Sequence, residues 1–182
     1  TNSGAISALG NNGYGIVGVD WRARLMPVRV LGRCGSGSTV DITEGMLWAA
    51  GGSIPGVPAN PTPARVVNLS IGGPGECTTF GQDAFDEALS RGALVVVSAG
   101  NDNDNADGYS PASCYGVSTV VATDPYGYRA SYSNYSAYAD ISAPGGDSSR
   151  YSETDAVLST VDASSSALAC ALSRITSSGG RE

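Results

Sequence analysis

The 182-residue sequence contains no histidine. Histidine is the commonest general base in enzymes, so its absence removes the usual partner of a nucleophilic serine. These residues therefore cannot form a Ser-His-Asp triad among themselves. A zinc site is not expected either, because the four cysteines have no Cys-x-x-Cys spacing and no histidine to complete a ligand set. The cysteines are Cys34, Cys77, Cys114 and Cys170.

Charge and long apolar runs are also scarce. Only 15% of the residues are charged, and the formal net charge is −7. A negative balance does not favour nucleic acid or an anionic membrane surface as a partner. No apolar run approaches the roughly 18–20 residues that a transmembrane helix needs. Up to two disulfides, in any of three pairings, would indicate an oxidising compartment, whereas four buried thiols are the alternative.

The residues that are present suit one domain with a sizeable core, since 41% of them are hydrophobic. Short apolar runs alternate with patterns typical of helices, which predicts a parallel α/β sheet with right-handed crossovers. Ser38 with Asp41, and Thr79 with Gln82, have the spacing of helix capping boxes. The predicted helices span residues 3–10, 40–52 and 79–92, and the predicted strands span 24–32, 64–73, 93–100, 116–124 and 138–145.

Three loops that follow predicted strands are rich in small residues: Gly32–Gly37, Gly72–Gly75 and Ser98–Gly100. The carboxyl ends of parallel strands share one edge of a sheet, so these loops are expected to meet there and form a cleft. Asn101 directly follows the third loop, where its amide could donate to a substrate. An ordinary strand-to-loop turn is the alternative interpretation of this stretch.

Seven motifs occur in order at suitable spacing: NNGYGIVGV, PVRVLGRCGSGS, ARVVNLSIGG, LVVVSAGND, GYSPAS, ASYSNYSAYADISAPGG and VLST. Together they resemble the subtilisin-like serine proteases, most closely the secreted bacterial type. The resemblance spans about residues 4–161 and implies a three-layer α/β core with a parallel sheet. It further implies a partial catalytic domain at 1–161, without the N-terminal strands and the C-terminal nucleophile helix, and an atypical tail at 162–182.

The resemblance also implies roles for the residues of the cleft. Asn101 takes the place of the asparagine that stabilises the tetrahedral oxyanion. Ser98, Ala99 and Gly100 match the wall of the pocket for the residue before the scissile bond. Ser70, Ile71 and Gly72 match the segment that pairs with an extended peptide substrate by strand addition.

The family's catalytic triad has no recognisable counterpart. Thr1 falls at the position of the family's histidine, and no GTS motif follows VLST. Ser166 is the best analogue of the nucleophile. We therefore expect a hydrolase core with little or no orthodox peptidase activity. The alternatives are an esterase-like hydrolase that uses Ser70 or a serine of 164–166 without histidine, and a non-catalytic peptide-binding module.

A structural calcium site is the metal site that the resemblance implies. Its ligands would be the carbonyl oxygens of Tyr115 and Val117 and the carboxylate of Asp140, which suits a hard cation. The alternative is that Asp140 only caps a turn. The acidic loop at 101–108 does not fit an EF-hand, because its twelfth position is Ser113.

Disulfides, partners and localisation complete the expectations. Cys34 and Cys77 each follow one of two predicted strands, so they form a plausible pair that the family likeness supports, and Cys114 with Cys170 would be the second. In the family, another strand lies between those matching 26–31 and 66–70. Without that strand we expect 26–31 and 66–70 to pair directly, with strand exchange in a homodimer as the alternative. The resemblance implies secretion.

Overall fold

The computed structural model describes residues 2–147 and 157–159. In this range the chain alternates strands and helices, as the hydrophobic periodicity predicts. The helices are α1 (Asn2–Ser7), α2 (Thr39–Ala49) and α3 (Thr79–Ser90). The strands are β1 (Val66–Leu69), β2 (Gly73–Pro74), β3 (Leu94–Ser98), β4 (Tyr109–Ser110), β5 (Ser118–Thr123) and β6 (Ile141–Pro144).

The main sheet has four parallel strands in the order β1-β3-β5-β6. Its register places Val67 opposite Val95, Val97 opposite Thr119 and Ala122 opposite Ala143. A separate two-residue ladder joins β2 to β4 in antiparallel fashion. The predicted class, a parallel α/β sheet, is confirmed.

Both α2 and α3 pack against one face of the sheet. Alternate residues of β1 and β3 are buried there, as the two-residue period of a strand requires. The core they share includes Met46 of α2, Phe85 of α3, Leu69 of β1, and Val95 and Val97 of β3. The sheet with helices packed on it agrees with the predicted α/β core.

The helix ends follow local sequence signals. The Ser38 hydroxyl accepts from the Asp41 N–H and donates to the Asp41 carboxylate, which caps α2 as predicted. The N-cap of α3 is Thr78 rather than the predicted Thr79, and its hydroxyl accepts from the Gly81 N–H. Gln82 therefore takes no part in a capping box.

The strand predicted at 24–32 is not a strand of the sheet. Met26 and Val28 pack against the core instead, and a Cβ added at Gly45 of α2 would lie 2.3 Å from Val30 Cγ1. Contact with α2 thus accounts for the apolar alternation of this segment without sheet pairing. The expected direct pairing of 26–31 with 66–70 is wrong, and β1 has only β3 as a neighbour among the described strands.

The disulfide seen in the described chain joins Cys77 to Cys114, whose Cα atoms are 5.1 Å apart. The predicted pairings Cys34–Cys77 and Cys114–Cys170 are therefore wrong, although Cys34 is also disulfide-bonded. The reason is the β2–β4 ladder, which sequence reasoning missed. It returns the chain beside β2 and brings Cys114 to the start of α3, where the Ser113 hydroxyl accepts from the Cys77 N–H.

Candidate active-site cleft

The three small-residue loops meet, as predicted, at the carboxyl edge of the sheet. They border a cleft of about 670 Å³. Gly35–Gly37 lie on one side, Ser70–Pro74 lie after β1, and Ser98–Asp102 lie after β3. The predicted substrate-binding residues Ser70, Ile71, Gly72, Ser98, Ala99 and Gly100 all line this cleft, together with Asn101.

Backbone approach explains the small residues of the second loop. A Cβ at Gly72 would lie 3.1 Å from the Ser110 carbonyl oxygen, so the β2–β4 ladder leaves little room for a side chain there. Ser70 is exposed, and its hydroxyl accepts from the Asn68 amide at 3.0 Å. The cleft therefore offers backbone groups and the exposed Ser70 hydroxyl to a ligand.

Asn101 lies at the end of the third loop, just beyond β3. The first residue of the loop continues the pairing of β3 with β5, because the Ala99 N–H donates to the Val120 carbonyl of β5. The Asn101 side chain is exposed, and no hydrogen bond of its amide to another described residue is found. A donor with no protein partner at the edge of a cleft is available to a ligand.

Asn134 is a site residue that sequence reasoning missed. It is fully buried and lies directly behind the third loop. Its Nδ2 donates to the Ala99 carbonyl at 3.0 Å, and its Oδ1 accepts from the N–H groups of Asp102 at 2.8 Å and Asp104 at 3.1 Å. It sits in the quoted stretch ASYSNYSAYADISAPGG, but no spacing rule connects that stretch to residues 99–104.

The cleft has one charged side chain among the described residues that line it, that of Asp102. Tyr109 lines the same cleft, and its hydroxyl donates to the Asp104 carboxylate at 3.4 Å. Partial burial raises the pKa of Tyr109 above 10.0, and the charges of Asp102 and Asp104 add to this effect. The cleft is therefore negatively charged at its Asp102 end.

The predicted triad analogues fall outside the described residues. Thr1 and Ser166 are both in this class, as is Cys170. The described residues lining the cleft include no lysine, and the one carboxylate among them is that of Asp102. Of the serines predicted as nucleophile candidates, Ser70 is the one that lines the cleft together with Asn101 among the described residues.

The implied calcium ligands lie around the start of β5. Asp140 Oδ2 accepts from the Thr119 N–H at 2.8 Å, which orients the carboxylate towards this strand. The Tyr115 carbonyl accepts from the Gln82 amide at 3.1 Å. No cluster of three or more histidine, cysteine or acidic side chains was found in the described ranges, so a cation here would depend on backbone carbonyls. Oxygen ligands of this kind fit Ca²⁺.

Known proteins similar to this chain include extracellular proteases and subtilisins. The sequence profile of the Subtilase family matches residues 1–174. An extracellular protease of Xanthomonas campestris pv. campestris is 49% identical over 143 residues, which is 79% of this chain and 24% of that protein. Subtilisin Savinase of Lederbergia lenta is 41% identical over the same length, and the match covers 48% of it.

A solved protease of Pseudoalteromonas arctica superposes with a TM-score of 0.85 at 48% identity. That match covers 90% of this chain and 48% of the other. The chain thus spans about a quarter of the length of the Xanthomonas protease and about half of the solved one. In the described part of the chain, no helix combines the length and apolarity needed to cross a bilayer. The profile match, the sequence identities and the shared fold together establish that the chain belongs to the subtilase family of serine proteases.

Proposed function

We propose that the chain forms the substrate cleft and oxyanion-hole donor of a subtilisin-like serine hydrolase, and that these 182 residues alone have little or no orthodox peptidase activity. The observation that carries the proposal is the position of Asn101. Its amide, which has no hydrogen-bond partner among the described residues, stands at the edge of a cleft bordered by three loops of small residues. We infer that this donor would meet the negative charge that develops on a substrate carbonyl.

An extended peptide is the ligand that suits the cleft. Ser70–Gly72 follow the end of β1 and present backbone to the cleft, so a peptide can add to them through main-chain hydrogen bonds. Ser98–Gly100 face this segment across the cleft and leave room for a ligand side chain. The names of relatives such as the Xanthomonas extracellular protease support a peptide substrate and secretion.

The absence of histidine supports the low peptidase activity. Without an imidazole, the 182 residues supply no general base of the usual kind and no imidazolium to protonate an amine leaving group. Esters need less help at the leaving group, so weak ester hydrolysis by Ser70 is the second candidate. Its support is that the Ser70 hydroxyl and the Asn101 amide line the same cleft.

The test uses the full 182-residue chain, a fluorescein-labelled alanine-rich hexapeptide and fluorescence polarisation. Gly73→Leu places a side chain in the cleft, whereas Gly108→Leu is the matched control outside it. At both glycines an added Cβ meets no atom within 4 Å, and neither has a positive φ. Gly73→Leu should weaken binding by about tenfold or more, equivalent to ~1.4 kcal/mol, and Gly108→Leu should not. Equal binding by both variants would contradict a peptide cleft.

Activity assays separate the catalytic versions of the proposal. Casein hydrolysis should be negligible, and a turnover number of about 1–10³ s⁻¹ in purified protein would contradict this expectation. Labelling of Ser70 by a fluorophosphonate would favour the esterase. If esters are hydrolysed, Asn101→Ala should reduce the rate by about 10²–10³-fold, the range measured for the corresponding asparagine of subtilisin. An unchanged rate would place the reaction elsewhere on the protein.

We further propose that calcium binds near Asp140, with the carbonyl oxygens of Tyr115 and Val117 as the other protein ligands. The support is that the Thr119 N–H holds one carboxylate oxygen of Asp140 against β5. Asp140 and Tyr115 lie at different points of the chain, so a shared cation would tie β6 to the loop before β5. Its role would be structural.

We also propose that the open edge of β1 pairs with a strand of a second copy of the chain. Its support is that β1 pairs with β3 alone among the described strands, which leaves backbone groups on the other edge. Light scattering coupled to size exclusion should show a dimer whose fraction rises with protein concentration. A monomer at every concentration would overturn this part of the proposal.

A further inference from the structure

The loop that carries Asn101 is held from behind by one buried side chain. Asn134 uses both ends of its amide on this loop, as donor to the Ala99 carbonyl and as acceptor from the Asp102 and Asp104 N–H groups. Its own N–H donates to the Gly100 carbonyl at 3.0 Å. Four backbone groups of residues 99–104 therefore converge on one residue.

These bonds fix which way the peptide groups of the loop face. The two carbonyl oxygens that precede Asn101, those of Ala99 and Gly100, both point to Asn134. The Asp102 N–H that follows Asn101 points there as well. A carbonyl turned into the cleft would repel a developing oxyanion, so this arrangement keeps negative dipoles away from the cleft.

The fit between Asn134 and the loop depends on Gly100. This glycine has a φ of +113°, and a Cβ there would lie 2.3 Å from Asn134 Nδ2. Only a residue without a side chain lets the amide sit directly behind the turn. The loop sequence and the buried asparagine are therefore matched to each other.

Asn134 is itself anchored to the sheet. The neighbouring Ser133 hydroxyl accepts from the Ala122 N–H of β5 and donates to the Asn134 carbonyl. The backbone on either side of Asn134 is hydrogen-bonded to the same loop. The Asn103 N–H donates to the Tyr132 carbonyl, and the Tyr135 N–H donates to the Asp104 carbonyl. The support behind Asn101 thus continues into a central strand.

We propose that Asn134 is the positioning residue of the oxyanion hole: it holds residues 99–104 so that the Asn101 amide faces the cleft and the preceding carbonyls do not. The inference rests on the proposed function for the role of Asn101. Asn134 does not line the cleft, so it acts on a ligand only through this loop.

The chain offers a matched control in Asn60. This second buried asparagine also makes three side-chain hydrogen bonds to backbone: it donates to the carbonyls of Trp48 and Ala49 and accepts from the Thr62 N–H. It ties down a loop in the same way but does not line the cleft. Asn60→Ala therefore removes an equivalent set of bonds without touching residues 99–104.

The first test is amide hydrogen exchange by NMR on the full chain, and it needs no activity. Asn134→Ala should speed exchange at Asp102 and Asp104 by about 10²-fold while the β3 amides keep their protection. Asn60→Ala should leave Asp102 and Asp104 unchanged. Asn134→Asp, which keeps an acceptor for both N–H groups, should restore their protection. Unchanged exchange in the alanine variant, or no restoration by aspartate, would overturn the proposal.

The second test is a double-mutant cycle on p-nitrophenyl ester hydrolysis. Asn134→Ala should lower the rate at saturating ester by about tenfold or more with a change in KM below about twofold, and it should have no further effect once Asn101 is alanine. Equal effects with and without Asn101 would mean that Asn134 is only structural. If the wild-type chain neither binds the hexapeptide nor hydrolyses the ester, the proposed function fails, and the exchange pattern still decides whether Asn134 holds the loop.

Discussion

Two irregular segments of the chain are held in opposite ways. The N-terminal segment (residues 8–38) leaves large side chains in solvent, with Val19 95% and Tyr14 87% exposed. The post-β3 segment (residues 99–117) buries its small apolar residues, with Ala99 only 2% and Ala106 only 1% exposed. Neither segment contributes a strand to the main sheet.

The two segments differ in the hydrogen-bond partners of their backbone N–H and C=O groups. In the N-terminal segment, single backbone bonds join the chain to α1, such as those from the Val19 N–H to the Ala5 carbonyl and from the Asp20 N–H to the Ile6 carbonyl. In the post-β3 segment, a buried amide from a distant part of the chain takes up several backbone groups at once. An irregular loop becomes precise when one buried polar side chain is shared among its peptide groups.

The largest expected effect tests this contrast with one substitution placed in each segment. Gly100→Ala forces a Cβ against buried Asn134 at a φ of +113°, whereas Gly15→Ala has a φ of +67° and no atom within 4 Å. Overpacking and backbone strain together should cost about 2–6 kcal/mol at Gly100. Strain alone should cost about 1–2 kcal/mol at Gly15. Urea unfolding of both variants measures the free energies.

Two results would break the comparison. Equal losses at the two glycines would show that Asn134 moves aside without cost, so that the post-β3 segment is no more tightly held than the N-terminal one. A larger loss at Gly15 would show that the N-terminal segment has partners of its own, despite its exposed side chains.

Sequence patterns predicted most of the fold because they report local preferences. The helix that begins after Ser38 and the strands around Val67 and Val95 follow from hydrophobic period and caps. The segment around Val28 was misassigned because the same alternation fits a chain that packs on a helix. The pairing of Cys77 with Cys114 depends on a two-residue ladder too short to leave a pattern.

The candidate site also has features that the sequence predicts and features that it does not. The convergence of the loops at Ser70–Gly72 and Ser98–Asn101 was predictable, because parallel strands place their carboxyl ends together. The support by Asn134 was not, since a single buried amide some 30 residues away has no periodic signature. Long-range polar contacts are set by the completed fold, and sequence spacing does not encode them.

A smaller effect concerns the β5–β6 end of the sheet, where calcium would add a constraint to a region already held by hydrogen bonds. At a calcium concentration one hundred times Kd, binding to the native state should stabilise the chain by about 2.7 kcal/mol. Thermal melting in CaCl₂ and in EGTA measures the shift. Asp140→Asn should abolish it while keeping an acceptor for the Thr119 N–H, and Asp83→Asn on α3 serves as the control.

The calcium prediction requires that the cation stabilise the chain through Asp140. An equal midpoint in CaCl₂ and EGTA would remove the proposed site. A calcium effect that survives Asp140→Asn would place the cation elsewhere in the chain.

The smallest expected effect is a titration in the post-β3 segment. Partial burial, together with the charges of Asp102 and Asp104, raises the pKa of Tyr109 above 10.0. Because the folded pKa exceeds the unfolded one, the contribution of Tyr109 to stability is intact below pH 10 and falls as the pH rises from the unfolded value through the folded value.

Asp104→Asn removes one of the two charges and should lower the pKa of Tyr109, whereas Asp83→Asn should not. NMR of ring-labelled tyrosine between pH 9 and about 12 measures the titration. A Tyr109 that titrates alike in both variants would show that Asp104 does not act on its hydroxyl, and that burial and Asp102 account for the raised pKa.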